Sequence, residues 1–417
     1  MTSSRRARAL VHLGVLVLLT AGLYGRTLAY GLVWDDYAAL RTRPLRAVLG
    51  AWTGPWDPGG VWPDFYRPLS IAIYDAAFRL CGHNSLALHA LTLIALLIAA
   101  WMLRAFVRRE TASDTLGLVA AALLLLHPET PSSLAAWISQ LFHLAALIAG
   151  LTAMLVWQRM RLQSGAGWGA VIAVLSLGVL IKEDVLMLAP TLLIWQVIRA
   201  RIVGDMAAPS RTIVISIAGW AACYALWRTM ALGAIGGYGW PSLARLPLNV
   251  ISGPLFAFGL QWIPSAHGIS AAAGAGVAVL AVLAWRSRHH AAPSLISLAL
   301  CGLAMGIIAN LPLMLISGHT RLYLLIVAAA LTFTAALGIV AAAFTAARRA
   351  FPLTATLGVV LWAATLAAAN WANTNTFAPC APETLQRDAE VLSWEILPND
   401  VRARLSAKVA ACEPMTR

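Results

Sequence analysis

Two adjacent carboxylates, Asp35 and Asp36, stand directly behind an apolar run that extends from Ala9 to about Leu32, in the segment GLVWDDYAAL. A second charged group, Lys182-Glu183-Asp184, lies between two other apolar runs, and Lys182 is the only lysine before residue 373. Arg67 occurs in FYRPLS, Arg321 and Tyr323 in RLYL, and His127 and Glu129 in the turn HPE. A carboxylate can take the proton of a hydroxyl nucleophile, and a cation can stabilise an anionic leaving group. Asp35 or Asp36 would be the base, and Arg321, Lys182 and Arg67 are the candidate cations. If both members of the pair face one cavity, mutual repulsion and partial desolvation raise the proton affinity of one of them, which lets it work near neutral pH.

The elements that must position these groups are membrane spans. The 417-residue chain is 60% hydrophobic and 11% charged, with a mean hydropathy of +0.77, far from the composition of a soluble domain. Apolar segments recur to residue 372, so the first one is taken as a retained span rather than a cleaved leader. Spans are expected near 9–31, 84–106, 114–128, 133–157, 165–181, 184–200, 211–232, 268–285, 293–315, 322–346 and 351–372, an all-α polytopic protein of about eleven helices. The net charge of +13 comes from short arginine clusters in alternate loops, among them Arg5/Arg6/Arg8, Arg104/Arg108/Arg109, Arg199/Arg201/Arg211 and Arg348/Arg349. That is a positive-inside pattern with a cytoplasmic N-terminus and a periplasmic C-terminus, not a nucleic-acid surface.

With this topology, eight of the eleven acidic residues before the tail face outward: Asp35, Asp36, Asp57, Asp64, Asp75, Glu129, Glu183 and Asp184. Carboxylates near membrane depth are expensive and usually face a cavity kept for chemistry or transport. Asp57, Asp64 and Asp75 are expected as loop or capping residues. Histidines 83, 89 and 143 are not spaced as a metal set, and the last two should pack or hydrogen-bond within the bundle. The loop 32–83 is expected to lie on the membrane surface, with an amphipathic stretch near 37–52 and Trp52, Trp56 and Trp62 half-buried in the interface. Residues 236–262 are expected as a periplasmic re-entrant or surface element, because Gly, Pro and Asn interrupt them. The tail 373–417 should be helical around 383–411, interrupted near Pro398, and placed to cap the site or dock an acceptor. Its Cys380 and Cys412 fall in an oxidising compartment, where they can pair.

The ordered set WDD at 34–36, FYRPLS at 65–70, LCGHNSLALHALTLIALLIAAWML at 80–103, HPE at 127–129, WIS at 137–139, KED at 182–184 and RLYL at 321–324 resembles the polyprenyl-phosphate-sugar-dependent glycosyltransferases of the GT-C superfamily. It is most similar to bacterial relatives of the transmembrane-and-tetratricopeptide O-mannosyltransferases, over most of residues 20–345. The resemblance implies a GT-C-like transmembrane domain over 1–372 with a catalytic locus at Asp35 and Asp36. It also implicates His127, Pro128, Lys182, Glu183, Arg321 and Tyr323. Glu129 and Asp184 join the candidates that line the site. The chain departs from the family after Trp-x-Ser, where Leu141 and His143 replace an arginine and an acidic residue, and it carries no tetratricopeptide repeats in the tail.

The resemblance implies an enzyme of the bacterial inner membrane that moves a sugar from a polyprenyl-phosphate carrier to a periplasmic protein such as a pilin, a lipid or a glycan. A single displacement would invert the anomeric carbon. No cofactor is required by this scheme. A divalent Mg²⁺ or Mn²⁺ held by the acidic pair with Glu129 or Glu183 is an alternative use of the same oxygens, and the metal-free version is preferred. Ligation or polymerisation of lipid-linked oligosaccharides is a neighbouring alternative. A transporter or flippase is the competing class, set back by acids gathered at one edge and by the lack of repeated halves.

Overall fold

The computed structural model describes residues 3–33, 36–56, 65–160, 165–233, 280–315, 323–346, 353–393 and 399–412, and no strand occurs among them. In chain order the helices are α1 (Ser3–Tyr24), α2 (Asp36–Ala39), α3 (Leu45–Gly50), α4 (Pro68–Cys81), α5 (Ser85–Thr111), α6 (Asp114–Leu126), α7 (Leu141–Met160), α8 (Gly165–Ile181), α9 (Leu188–Ile202), α10 (Arg211–Leu232), α11 (Pro293–Leu315), α12 (Tyr323–Ala346), α13 (Leu353–Asn375), α14 (Pro382–Leu392) and α15 (Asn399–Cys412). A further helical stretch covers 280–287. Among the described residues, six stretches are long and apolar enough to cross a membrane: Arg6–Ala29, Ser85–Thr111, Ile138–Arg159, Glu183–Ile202, Arg211–Leu232 and Tyr323–Ala346. The chain is a multi-pass helical membrane protein. Every span expected from the sequence coincides with a helix except 268–285, most of which lies outside the described residues, as does the whole of 236–262.

The helices begin where the sequence supplies acceptors for their first N–H groups. Asn84 accepts from Ala87 at 3.2 Å, Ser113 from Leu116 at 3.2 Å and Ser210 from Ile213 at 3.3 Å, as N-caps do. Proline at the first position of α4 needs no such acceptor. Helix α5 is central, packed against α1, α6 and α7; α7 pairs with α8, α9 with α11, α11 with α12, and α12 returns to α6. Helix α12 is nearly enclosed, whereas α10 presents Val214, Ile215, Leu226, Trp227 and Met230 outward, a face suited to lipid. Small residues set the closest approaches. A Cβ at Gly302 of α11 would lie 2.9 Å from the Ala328 carbonyl oxygen of α12, and one at Gly117 of α6 would lie 2.7 Å from the Arg104 carbonyl oxygen of α5.

One expected span is shorter at its start. The run 133–157 is continuous in hydropathy, yet its first part is a π-helical turn at Pro131–Ala135 and a 3-10 turn at Ile138–Gln140 before α7 begins at Leu141. Pro131 and the buried polar groups nearby break the ladder there, which frees backbone groups for other partners.

At the far ends of α5, α6 and α9, the acids the topology assigns to the opposite face are tied into ion pairs. Arg199 holds both Glu110 and Asp205, Gln158 donates to Glu110 at 2.5 Å, and Arg104 and Arg108 flank Asp114 at 3.2 and 3.8 Å.

Candidate functional site

Asp36 is the first residue of α2, and its side chain is fully buried. One carboxylate oxygen accepts from the Val33 N–H at 3.0 Å, three residues back, a local side-chain-to-backbone bond. The other accepts from the Ser139 N–H at 2.5 Å, a partner 103 residues away in the 3-10 turn before α7. Burial drives the proton affinity of Asp36 up to about 7. The two N–H donors and Lys408 pull it back down, and Asp388 adds to the rise. The group therefore changes charge in the range where a general base is most useful. Asp35 lies outside the described residues.

The segment between α6 and α7 is held from below by α13. The Asn370 side-chain amide donates to the carbonyls of Leu125 and His127, both at 3.0 Å, and Asn373 donates to the Pro128 carbonyl at 2.6 Å. Within the turn the Glu129 N–H donates to Nδ1 of His127 at 3.1 Å, so the proton of a neutral ring sits on Nε2. His127 and Glu129 are both buried. The same segment delivers Ser139, whose N–H faces Asp36 and whose carbonyl accepts from the Tyr74 hydroxyl.

A second cluster forms where α8 ends and α4 begins. The Ser70 hydroxyl donates to the Ile181 carbonyl at 2.6 Å and joins the two. Arg67 is then placed to grip Glu183 with two parallel bonds, Nε at 2.9 Å and a terminal nitrogen at 2.6 Å, the fork geometry that arginine makes with carboxylate. Lys182 is buried, with Nζ 2.8 Å from Asp184 and 2.8 Å from Nε2 of His143. A charged Lys182 requires that nitrogen to accept, which leaves the imidazole proton on Nδ1. Burial and then Arg67 lower the proton affinity of Lys182, against Asp184 and Glu183.

Aromatic rings join the two clusters. The Phe142 ring lies 5.2 Å from the Arg67 guanidinium and 5.8 Å from Lys182 Nζ, and the Tyr323 ring is 5.7 Å from Lys182 Nζ and 5.9 Å from the His143 ring. On its other side Phe142 packs against Tyr74 at 6.0 Å and Trp56 at 6.4 Å. The contacts thus run from Asp36 through Ser139, Tyr74 and Phe142 to Arg67 and Lys182.

Of the residues singled out by sequence, the structure brings Arg67, Lys182, Glu183, Asp184 and Tyr323 into one cluster, and Asp36 is linked to it only through Ser139, Tyr74 and Phe142. His127 and Glu129 lie on the turn leading into the segment that holds Asp36. Arg321, two residues before Tyr323, lies outside the described residues, as do Asp57, Asp64 and Trp62. Asp75 is structural: it pairs with Arg79 at 2.6 Å and accepts the Arg43 N–H at 3.0 Å. Trp56 departs from the interfacial placement expected of it and is buried, because its ring packs on Tyr74 at 5.8 Å and Phe142 at 6.4 Å; Trp52 stays exposed. Three participants escape the sequence reasoning: His143 beyond its expected hydrogen bond, the Ser139 backbone, and the tail pair Lys408 and Asp388. A backbone N–H leaves no mark on a sequence, but the lone lysine of the tail was a visible signal. Among the described residues no three His, Cys, Asp or Glu side chains converge into a metal-holding set.

Comparison with family models finds no match, and comparison with curated proteins finds none. Among solved structures, the crystal structure of ArnT from Cupriavidus metallidurans bound to undecaprenyl phosphate matches with a TM-score of 0.48 and 13% identity, over 99% of this chain and 70% of that chain.

Proposed function

We propose that this chain is an integral-membrane glycosyltransferase that moves a sugar from a polyprenyl-phosphate carrier to a hydroxyl acceptor at the periplasmic face. The observation that carries this reading is the state of Asp36: buried, oriented by two backbone N–H groups, and with its proton affinity near neutrality. A solvated loop aspartate has none of these properties. The ordered motifs from WDD to RLYL support the same reading.

In the proposed step, Asp36 as carboxylate takes the proton of the acceptor hydroxyl. The acceptor oxygen bonds to the anomeric carbon as the bond from that carbon to the phosphate oxygen breaks, and the electron pair leaves with the polyprenyl phosphate. One displacement inverts the anomeric carbon. Lys182, ion-paired with Asp184 and in contact with His143, and Arg67 supply the cations toward which the phosphate departs, and Arg321 is a further candidate from the sequence alone. Because Glu183 and Asp184 balance Arg67 and Lys182, the phosphate meets a cluster with little net charge. That arrangement favours release of the polyprenyl phosphate after transfer over tight retention. The acceptor is a periplasmic protein such as a pilin, a lipid or a glycan, and Mg²⁺ or Mn²⁺ is not needed for the step.

The test uses the purified chain in liposomes with radiolabelled undecaprenyl-phosphate mannose, glucose and arabinose, each offered separately with extracted envelope acceptors. Release of polyprenyl phosphate coupled to acceptor labelling, and lost in Asp36→Asn, supports the proposal. Turnover of a pyrophosphate-linked oligosaccharide alone would point to a ligase, and label crossing the bilayer without transfer would point to a flippase.

A further inference from the structure

The C-terminal tail belongs to the catalytic centre by its contacts. Helices α14 and α15 form a hairpin that returns to the body of the protein, closed by a disulfide between Cys380 and Cys412, whose Cα atoms are 5.3 Å apart. Val391 and Leu405 bury their side chains in the main core. The tail, hairpin and the residues leading into it, reaches both segments that hold Asp36. On one side, Lys408 Nζ donates to the Leu32 carbonyl at 2.9 Å and to Asp388 at 2.7 Å. Leu32 is next to Val33, whose N–H grips Asp36, and the Tyr37 hydroxyl donates to the same carbonyl at 2.9 Å. On the other side, Phe377 stacks on Trp137 with ring centroids 6.5 Å apart, two residues before Ser139. Tyr30, Val33, Ala136, Trp137 and Phe377 form a hydrophobic cluster of their own. Asp388 is fully buried and Lys408 partly so, in a tail that the mechanism above does not otherwise use.

We propose that Lys408, carried by the disulfide-closed hairpin and neutralised by Asp388, is a positioning residue for the Asp36 carboxylate. It fixes the 32–33 backbone that orients Asp36 and places a positive charge beside it. The inference rests on the role of Asp36 proposed above, though its test does not. Among the described residues, the charged and titratable groups that act on Asp36 or its neighbour are Lys408 and Asp388 from the tail, Tyr37 from its own helix, and Arg404, which acts on Tyr37; Asp35 precedes it in the chain. Removing Lys408 removes an attractive charge, so Asp36 holds its proton to higher pH. Removing the carboxylate of Asp388 leaves the lysine uncompensated, so Asp36 loses its proton at lower pH.

The experiment is an infrared pH titration of the full chain in lipid nanodiscs, with the protonated carboxyl band of Asp36 identified by its loss in Asp36→Asn. The expected result is a shift of the midpoint upward in Lys408→Met and downward in Asp388→Asn, each on the order of one pH unit. The double variant Lys408→Met/Asp388→Asn should return toward the wild-type midpoint, and Lys408→Arg should keep it. General loosening of the tail would move both single variants the same way. That outcome, unmoved midpoints, or no band lost in Asp36→Asn would each overturn the inference. If instead Asp36→Asn leaves transfer intact while the midpoints move as stated, the proposed function fails and the positioning role stands.

Discussion

Replacing Asp36 with asparagine should abolish transfer and at the same time make the protein more stable at alkaline pH than at acid pH, relative to wild type. Asp36 titrates near 7 in the folded chain against an ordinary value of 3.8, a difference of about three units at about 1.4 kcal/mol each, or about 4 kcal/mol in all. Its folded proton affinity is raised, so its contribution to stability is complete below about pH 4. That contribution is lost as pH rises through about 7, where the carboxylate must be kept charged in a buried place. Asparagine has no charge to bury. It also has a single acceptor atom for two N–H groups, Val33 and Ser139, which costs about 1–3 kcal/mol at every pH. The constant cost cancels when the variant is compared with wild type across pH. The difference between them should therefore move in favour of Asp36→Asn by about 4 kcal/mol between pH 4 and pH 8. The assay is thermal unfolding in nanodiscs followed by tryptophan fluorescence at half-unit steps of pH. A difference that stays flat over that window would refute the placement of Asp36 and with it the case for a poised base.

Other substitutions probe the supports. Glu183→Ala leaves the Arg67 guanidinium buried without its two-bond partner and should cost about 3–5 kcal/mol in thermal stability, whereas Arg67→Met/Glu183→Leu should cost less than that single change. Asn370→Leu strips the donors from the Leu125 and His127 carbonyls; it should cost about 1–3 kcal/mol and lower turnover more than donor affinity, read as kcat against KM. Cys380→Ser/Cys412→Ser opens a loop with a sequence separation of 32, worth about 3–4 kcal/mol by chain entropy, and should expose the tail to limited proteolysis while the spans stay protected.

The spans were legible because apolar length and alternate arginines follow directly from the cost of lipid burial, and the helices fall on them. The start of α7 was not, since hydropathy is blind to a turn whose backbone serves a distant carboxylate. Asp36 was legible as a suspicious acid, and the desolvation expected to raise its proton affinity is the largest cause of the rise; the like charge of Asp388, which adds to it, was not anticipated, and Asp35, whose repulsion was also expected, lies outside the described residues. Lys182 and Asp184 are two residues apart, and their pairing was readable. The Arg67–Glu183 fork spans 116 residues and emerges only from the packing of α4 on α8. His143 was expected to pack or hydrogen-bond within the bundle and does so, but its partner, Lys182 at the end of α8, could not be read from spacing along the chain. The disulfide was open from topology alone, and the structure forms it by bringing the two ends of the tail hairpin together.

The central claim is that Asp36 is the base of a sugar transfer. The most direct measurement compares, by intact mass spectrometry, the envelope glycoproteins and glycolipids of cells carrying the wild-type chain with those of cells carrying Asp36→Asn at matched expression, with Asp35→Asn alongside. The account predicts that one species loses the mass of a single sugar when Asp36 is replaced, and that species names the acceptor. Persistence of every product, with Asp36→Asn folded and abundant in the membrane, would contradict it.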